Sequence, residues 1–285
     1  MEQKYIDLFD EFTHTDMGRR TFMERLTKLA GSVAAAMAVL PVLENNYTDA
    51  ETIKQNDARL DTGMIEYTGG KDKVSAYKAF LKGKEKLPGV LVIHENRGLN
   101  PHIKDVARRV ALEGFFALAP DALSEMGGTP DDEDKAREMI GKLDHSETLQ
   151  NYLKAFEYLE HDPQCTGKVG CVGFCWGGSM ANQLAVNSPG LLAAVAYYGG
   201  QPKNEDVPKI KAKLLLHYAG LDERINKGIP DFRKALDEAK INYELYIYDG
   251  VNHAFNNDTN SARYNADAAK LAWGRTIKFL KENLE

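Results

Sequence analysis

The chain has 285 residues, 43% of them hydrophobic and 27% charged, and a formal net charge of -6 at pH 7. That length suits one large α/β domain or two small ones, and the composition is that of a soluble globular protein. No basic field is present to hold nucleic acid, and three cysteines are too few for a disulfide framework in a chain this long.

The first forty-three residues read differently from the rest. Arg19 and Arg20 precede Phe22 and a mild apolar run from Leu29 to Leu43, with Ala34, Ala36 and Ala38 as small residues for an A-x-A cleavage site. This pattern resembles a twin-arginine export signal and predicts a periplasmic protein; the run is too short for a membrane span. The alternative is an amphipathic helix that stays attached and packs on the domain of a cytoplasmic protein, since Glu24 and Lys28 interrupt the path to the apolar run. Residues 44–59 are polar and read as a linker, leaving residues 60–285 as the domain.

Beyond the linker, strand-like and helix-like segments alternate. "GMIEYTG" and "VSAYKAFL" read as two early strands around a Gly-Gly-Lys-Asp turn, and "GVLVIHE" as a buried strand. Ile103, Val106, Val110 and Leu112 have helical spacing, and the strand "FFALAPD" follows. A polar excursion, "SEMGGTPDDEDKAREMIGKLD", precedes the amphipathic helix "ETLQNYLKAFEYLEH". Then come the strand "KVGCVGF", a helix from Trp176 to Val186, and the strands "LAAVAYYG" and "AKLLLHYAG". The helix "PDFRKALDEA", the strand "YELYIYDG" and a closing helix from Ala262 to Leu284 complete the chain. The alternation predicts a mostly parallel central sheet with helices on both faces.

One short stretch carries chemistry. In Gly173-Phe174-Cys175-Trp176-Gly177 a cysteine stands between glycines where a strand turns into a helix. A nucleophile at the tip of such a turn needs small neighbours, and the helix N-terminus favours thiolate over thiol. Asp222 follows one later strand and His253 another, so nucleophile, acid and base occur in the chain order of α/β-hydrolases, at the carboxyl ends of strands. His253 can take the thiol proton and Asp222 can orient the imidazole. The Trp176 N–H is placed for an oxyanion. Taken singly, Cys175 is a small buried hydrophobe, Asp222 a turn or cap residue, and His253 a solvated loop histidine. Cys165 and Cys171 are close enough in sequence to pair, although two buried thiols is the preferred reading.

"GFCWGG", "LDE" at Asp222, "NHAF" at His253 and "VIHENRGLN" after the third strand resemble the dienelactone hydrolase (carboxymethylenebutenolidase) family over roughly Leu60–Leu284. The resemblance implies the α/β-hydrolase fold and cleavage of a small ester or lactone by a Cys-His-Asp triad. It also implies that Glu95 contacts the resting thiol and moves when substrate binds, and that the Asn96 N–H is the second oxyanion donor. Of the family's two carboxylate-binding arginines, one matches Arg137; the other falls on Asn257, while Gly141 and Asp144 stand where pocket aromatics are found. The catalytic residues thus match and the specificity pocket departs.

No metal or organic cofactor is implied, since the other histidines, His14 among them, lack ligand spacing. The expected partner is a small-molecule ester or lactone, with no nucleic acid and no membrane in the mature form. Oligomeric state is left open, with a monomer favoured. The rival readings are a general carboxylesterase or thioesterase of the same fold, and a non-catalytic redox protein with Cys175 as sensor.

Overall fold

The computed structural model describes residues 1–47 and 51–285. Three helices come first: α1 (Gln3–His14), α2 (Arg19–Ala30) and α3 (Val33–Leu43). Strands β1 (Leu60–Thr68), β2 (Lys73–Leu81) and β3 (Leu87–Ile93) follow, then α4 (Pro101–Leu112), β4 (Phe116–Pro120), α5 (Glu133–Ile140) and α6 (His145–His161). The second half runs β5 (Cys165–Phe174), α7 (Trp176–Asn187), β6 (Ala193–Tyr197), β7 (Lys213–Ala219), a single turn α8 (Glu223–Asn226), α9 (Ile229–Glu238), β8 (Tyr243–Tyr248) and α10 (Ala266–Leu284).

The eight strands form one sheet in the order β1-β2-β4-β3-β5-β6-β7-β8. The β1–β2 and β2–β4 pairs are antiparallel, and all other neighbours are parallel. Central strands β3, β4, β5 and β6 are buried nearly throughout because helices cover both faces. On one face α4 and α10 bury Ile103, Val106, Val110, Phe279 and Leu280. On the other, α6, α7 and α9 bury Tyr152, Leu159, Leu184, Phe232 and Leu236.

Helix starts follow local chemistry. The Asn100 side chain accepts from the Ile103 N–H ahead of Pro101, and Asp144 caps α6 through the Glu147 N–H. The last helix starts at Ala266 rather than Ala262, because Asn265 caps it through the Ala268 N–H. Residues before Asn265 form turns instead, with the Asn260 side chain donating to the Leu43 carbonyl at 2.5 Å.

The N-terminal helices pack on the domain around a small core of their own. Phe9, Phe12, Phe22, Leu26 and Leu43 are buried there, with the Phe12 and Phe22 rings stacked at 4.3 Å. Arg19, the first of the twin arginines, bonds Asp134 at 2.7 Å and Glu44 at 2.8 Å. Among the described residues, no single helix is long and apolar enough to cross a membrane. Taken together α2 and α3 are, but they bend by 114°. The described part of the polar segment is tied down too: the Thr52 and Ile53 N–H groups donate to Asp105, and Glu51 pairs with Arg108. All three cysteines are buried free thiols.

Candidate active site

Cys175 occupies the turn between β5 and α7 with φ 55° and ψ -112°, a strained conformation for a residue with a side chain. The turn is fixed by its N–H, which bonds the Tyr197 carbonyl at 3.0 Å, and by close backbone approach on both sides. A Cβ at Gly173 would collide with the Gly177 carbonyl, one at Gly177 with the carbonyls of Ile93 and His94, and one at Gly178 would lie 2.6 Å from the Tyr197 oxygen. Three small residues are therefore the condition for the elbow to fit between β3 and β6. Trp176 is the first residue of α7, so its N–H has no intrahelical acceptor.

Asp222 ends the loop after β7 and serves two partners. One oxygen caps α8 through the Ile225 N–H at 3.1 Å, and the other lies 2.5 Å from His253 Nδ1. The cap and the orienting carboxylate are the same side chain. His253 is 4% exposed, and among the described residues its Nε2 has no hydrogen-bond partner. The structure thus brings Cys175, Asp222 and His253 together at the carboxyl ends of β5, β7 and β8.

The sulfur has another neighbour that no sequence spacing indicated. His14 Nε2, at the end of α1, lies 3.3 Å from Cys175 Sγ. Its Nδ1 is 2.8 Å from the Asp10 carbonyl oxygen and 3.2 Å from the Asp10 carboxylate. Arg263 and Arg224 approach that carboxylate at 3.8 and 4.0 Å. The spacing of four in Asp10–His14 places both on one helix face, which is a signal for the pair but not for its position. One donor atom each from His14, Cys175 and His253 lie within 4.8 Å of one another, a trio that could hold a metal ion.

These charges set the protonation states. Burial pushes the Cys175 thiol up, but the His253 and His14 charges outweigh it and bring the thiol down to about 6. For His253 burial acts downward, and the Cys175 thiolate and Asp222 overcome it, raising the imidazole to about 10. His14 is raised as well, with burial opposed chiefly by the thiolate. Asp222 is lowered: burial works against this, and the His253 hydrogen bond prevails. Burial, Glu95 and Cys175 hold the Tyr198 hydroxyl well above its usual range, so it remains an O–H beside the His253 ring, 4.8 Å between centroids.

Other sequence-indicated residues are differently engaged. The buried Glu95 carboxylate accepts from Asn257 Nδ2 at 2.7 Å and makes no hydrogen bond to Cys175 among the described residues; His14 has that contact. Asn257, at the position of the family's second arginine, accepts in turn from the Thr259 N–H and hydroxyl. Arg137 points to the N-terminal segment: it donates to the Phe12 carbonyl at 2.8 Å and the Thr15 carbonyl at 3.1 Å, and lies over the Phe12 ring. The reason is burial, because those carbonyls end or follow α1 and need donors. Asn96 donates through its side chain to the Thr13 carbonyl at 2.8 Å. A cleft of about 700 Å³ opens at Cys175, lined by residues Thr13–Gly18 together with Trp176, Tyr198 and His145 among others.

Known proteins share this architecture. Residues 74–284 match the model of the dienelactone hydrolase family. A Saccharolobus solfataricus protein named as a carboxymethylenebutenolidase is 36% identical over 244 residues, covering 72% of this chain and 93% of its own length. One of the same name from Methylorubrum extorquens is 29% identical over 284 residues, covering 93% of this chain and 95% of the relative. That share is too large for residues 60–285 alone, so the likeness reaches into the N-terminal helices. A solved Klebsiella pneumoniae structure described as a dienelactone hydrolase superposes with a TM-score of 0.72 at 28% identity, covering 78% of this chain and 99% of that one. With the family model spanning most of the chain and a relative 36% identical over 72% of it, this protein belongs to the dienelactone hydrolase family.

Proposed function

We propose that the protein hydrolyses a small ester or lactone through an acyl-enzyme on Cys175. The observation that carries this reading is the Asp222–His253 pair set beside a thiol lowered to about 6 at a strained elbow. The thiolate lone pair forms a C–S bond to the substrate carbonyl carbon while the C=O π pair moves onto oxygen, and the N–H groups of Trp176 and Asn96 receive that oxyanion. Collapse breaks the C–O bond, and the His253 imidazolium protonates the leaving alkoxide; in a lactone that oxygen stays tethered to the acyl group. Water then loses a proton to His253 and adds to the thioester, releasing acid and thiolate.

Glu95, held by Asn257 and without a hydrogen bond to Cys175 among the described residues, supports the role of a fixed neighbour better than that of a group sharing the thiol proton. A substrate carboxylate would have to compete with α1 for Arg137, which supports uncharged or small acyl groups as substrates. Initial rates on dienelactone and p-nitrophenyl acetate, with wild type and Cys175→Ala, test the reading. Turnover by wild type alone sustains it; equal rates from both proteins overturn it. Wild-type preference for the simple ester would identify a general esterase of this family.

The burial of Phe22 and Leu26 and the ion pairs of Arg19 support retention of residues 1–43. N-terminal sequencing of the protein from fractionated cells decides it: an intact cytoplasmic chain supports retention, and a processed periplasmic one supports twin-arginine export.

A further inference from the structure

A thiolate with two imidazoles is a soft donor set, suited to Zn2+ and unsuited to Mg2+ or Ca2+, which take oxygen ligands. In a tetrahedral zinc site, with Zn–S about 2.3 Å and Zn–N about 2.0–2.1 Å, sulfur and nitrogen ligands stand about 3.5 Å apart. The His14 Nε2–Cys175 Sγ edge, at 3.3 Å, already has this length. No separation in the trio exceeds 4.8 Å, so the rest is within a small side-chain adjustment.

Two further observations point to a ligand. His253 Nε2 is buried on the side of the Cys175 sulfur, to which it couples electrostatically without a hydrogen bond of normal geometry among the described residues, so its lone pair is open to a ligand. Both imidazoles are also backed by carboxylates, His253 by Asp222 at 2.5 Å and His14 by Asp10 at 3.2 Å. A carboxylate on the far nitrogen orients a ring toward a metal and raises its basicity. A fourth position faces the cleft, where water can complete the coordination.

We propose that His14, Cys175 and His253 form a binding site for a soft divalent cation, zinc by its donor set, which clasps α1 to the nucleophile elbow. Binding displaces any proton on Cys175 and on the metal-facing imidazole nitrogens to solvent; no electron changes hands. The sulfur lone pair is then committed to the ion, so the bound state is one in which the nucleophile is silenced and a chelator restores it. The site itself stands on geometry alone, and only the silencing rests on the proposed hydrolysis.

The test titrates metal-free, full-length protein with Co2+ as a spectroscopic probe. A thiolate-to-cobalt charge-transfer band saturating at one equivalent, and lost on adding Zn2+, is the expected result. Cys175→Ala abolishes the band, His14→Gln weakens Co2+ affinity at least tenfold, and Asp10→Asn weakens it by about tenfold. Iodoacetamide labelling of Cys175 in His14→Gln checks that fold and thiol persist, and Zn2+ slows that labelling in wild type. Absence of the band, or an unchanged affinity in a folded His14→Gln protein, overturns the site. If no ester is cleaved at all, the cobalt spectrum still decides the matter.

Discussion

The imidazole of His14 is 3.3 Å from the sulfur of Cys175, although the two residues are 161 positions apart in the chain. The sulfur therefore sits between two carboxylate-backed histidines, one from the loop after β8 and one from the first helix. Both histidines lower the thiol from its ordinary range.

The acid limb of catalysis should report Cys175 and the alkaline limb His253. With the thiol lowered to about 6, thiolate is present above that value; with the imidazole raised to about 10, its proton is present below that one. A bell-shaped kcat/KM profile between these limits is expected, its apparent values belonging to the coupled pair. Replacing His14 with Gln removes one positive neighbour, so the acid limb should move upward, toward the ordinary thiol value of about 8.5. An acid limb that stays put in that variant would show that His14 exerts no charge on the sulfur.

Asp222→Asn keeps the α8 cap, since the amide oxygen can still accept from the Ile225 N–H, yet loses the carboxylate on His253. We expect kcat to fall on the order of 10²–10⁴-fold with little change in the unfolding midpoint. A parallel collapse of stability would mean that the carboxylate is chiefly structural.

At Gly177 an added methyl meets the backbone oxygens of Ile93 and His94, neither of which can swing aside. Gly177→Ala should cost about 3 kcal/mol in urea unfolding, at the upper end of overpacking. A loss near zero would mean that β3 yields at the elbow.

Asn257→Ala removes the donor to the buried Glu95 carboxylate and the acceptor for Thr259. Leaving those groups unpaired should cost about 1–3 kcal/mol, read from the denaturation midpoint. An unchanged midpoint would show that water replaces the amide.

Arg137→Ala frees the Phe12 and Thr15 carbonyls and the Phe12 ring. Cleavage by a protease between α1 and α2 should then accelerate several-fold, followed by mass spectrometry. An unaltered rate would place the hold on α1 elsewhere, at Asn96 or Arg263.

Much of this architecture was legible because its signals are local. The apolar runs of β3 to β7, the cap-bounded helices and the glycine-flanked elbow each declare themselves within a few residues. Asp222 and His253 could be placed because each closely follows a strand of the parallel sheet, whose carboxyl edge they must share. His14 could not, because its position depends on how a separate helical unit docks, and nothing in "DLFDEFTH" specifies the far surface. The orientation of Arg137 was hidden for the same reason: its acceptors are carbonyls contributed by that unit. Asn257 was visible as a departure from the family's arginine, but its engagement with Glu95 is a tertiary fact.

Residues 13–18 line the cleft while the sheet carries Cys175, Asp222 and His253, so under the proposed hydrolysis shape selection and bond-breaking would reside in separate stretches of the chain. A randomised library confined to Thr15–Gly18 would remodel the mouth without touching Cys175, Asp222, His253 or His14. New preferences for acyl size should be recoverable there at little cost in chemistry, which makes the first loop the natural entry point for directed evolution of this enzyme's substrate range.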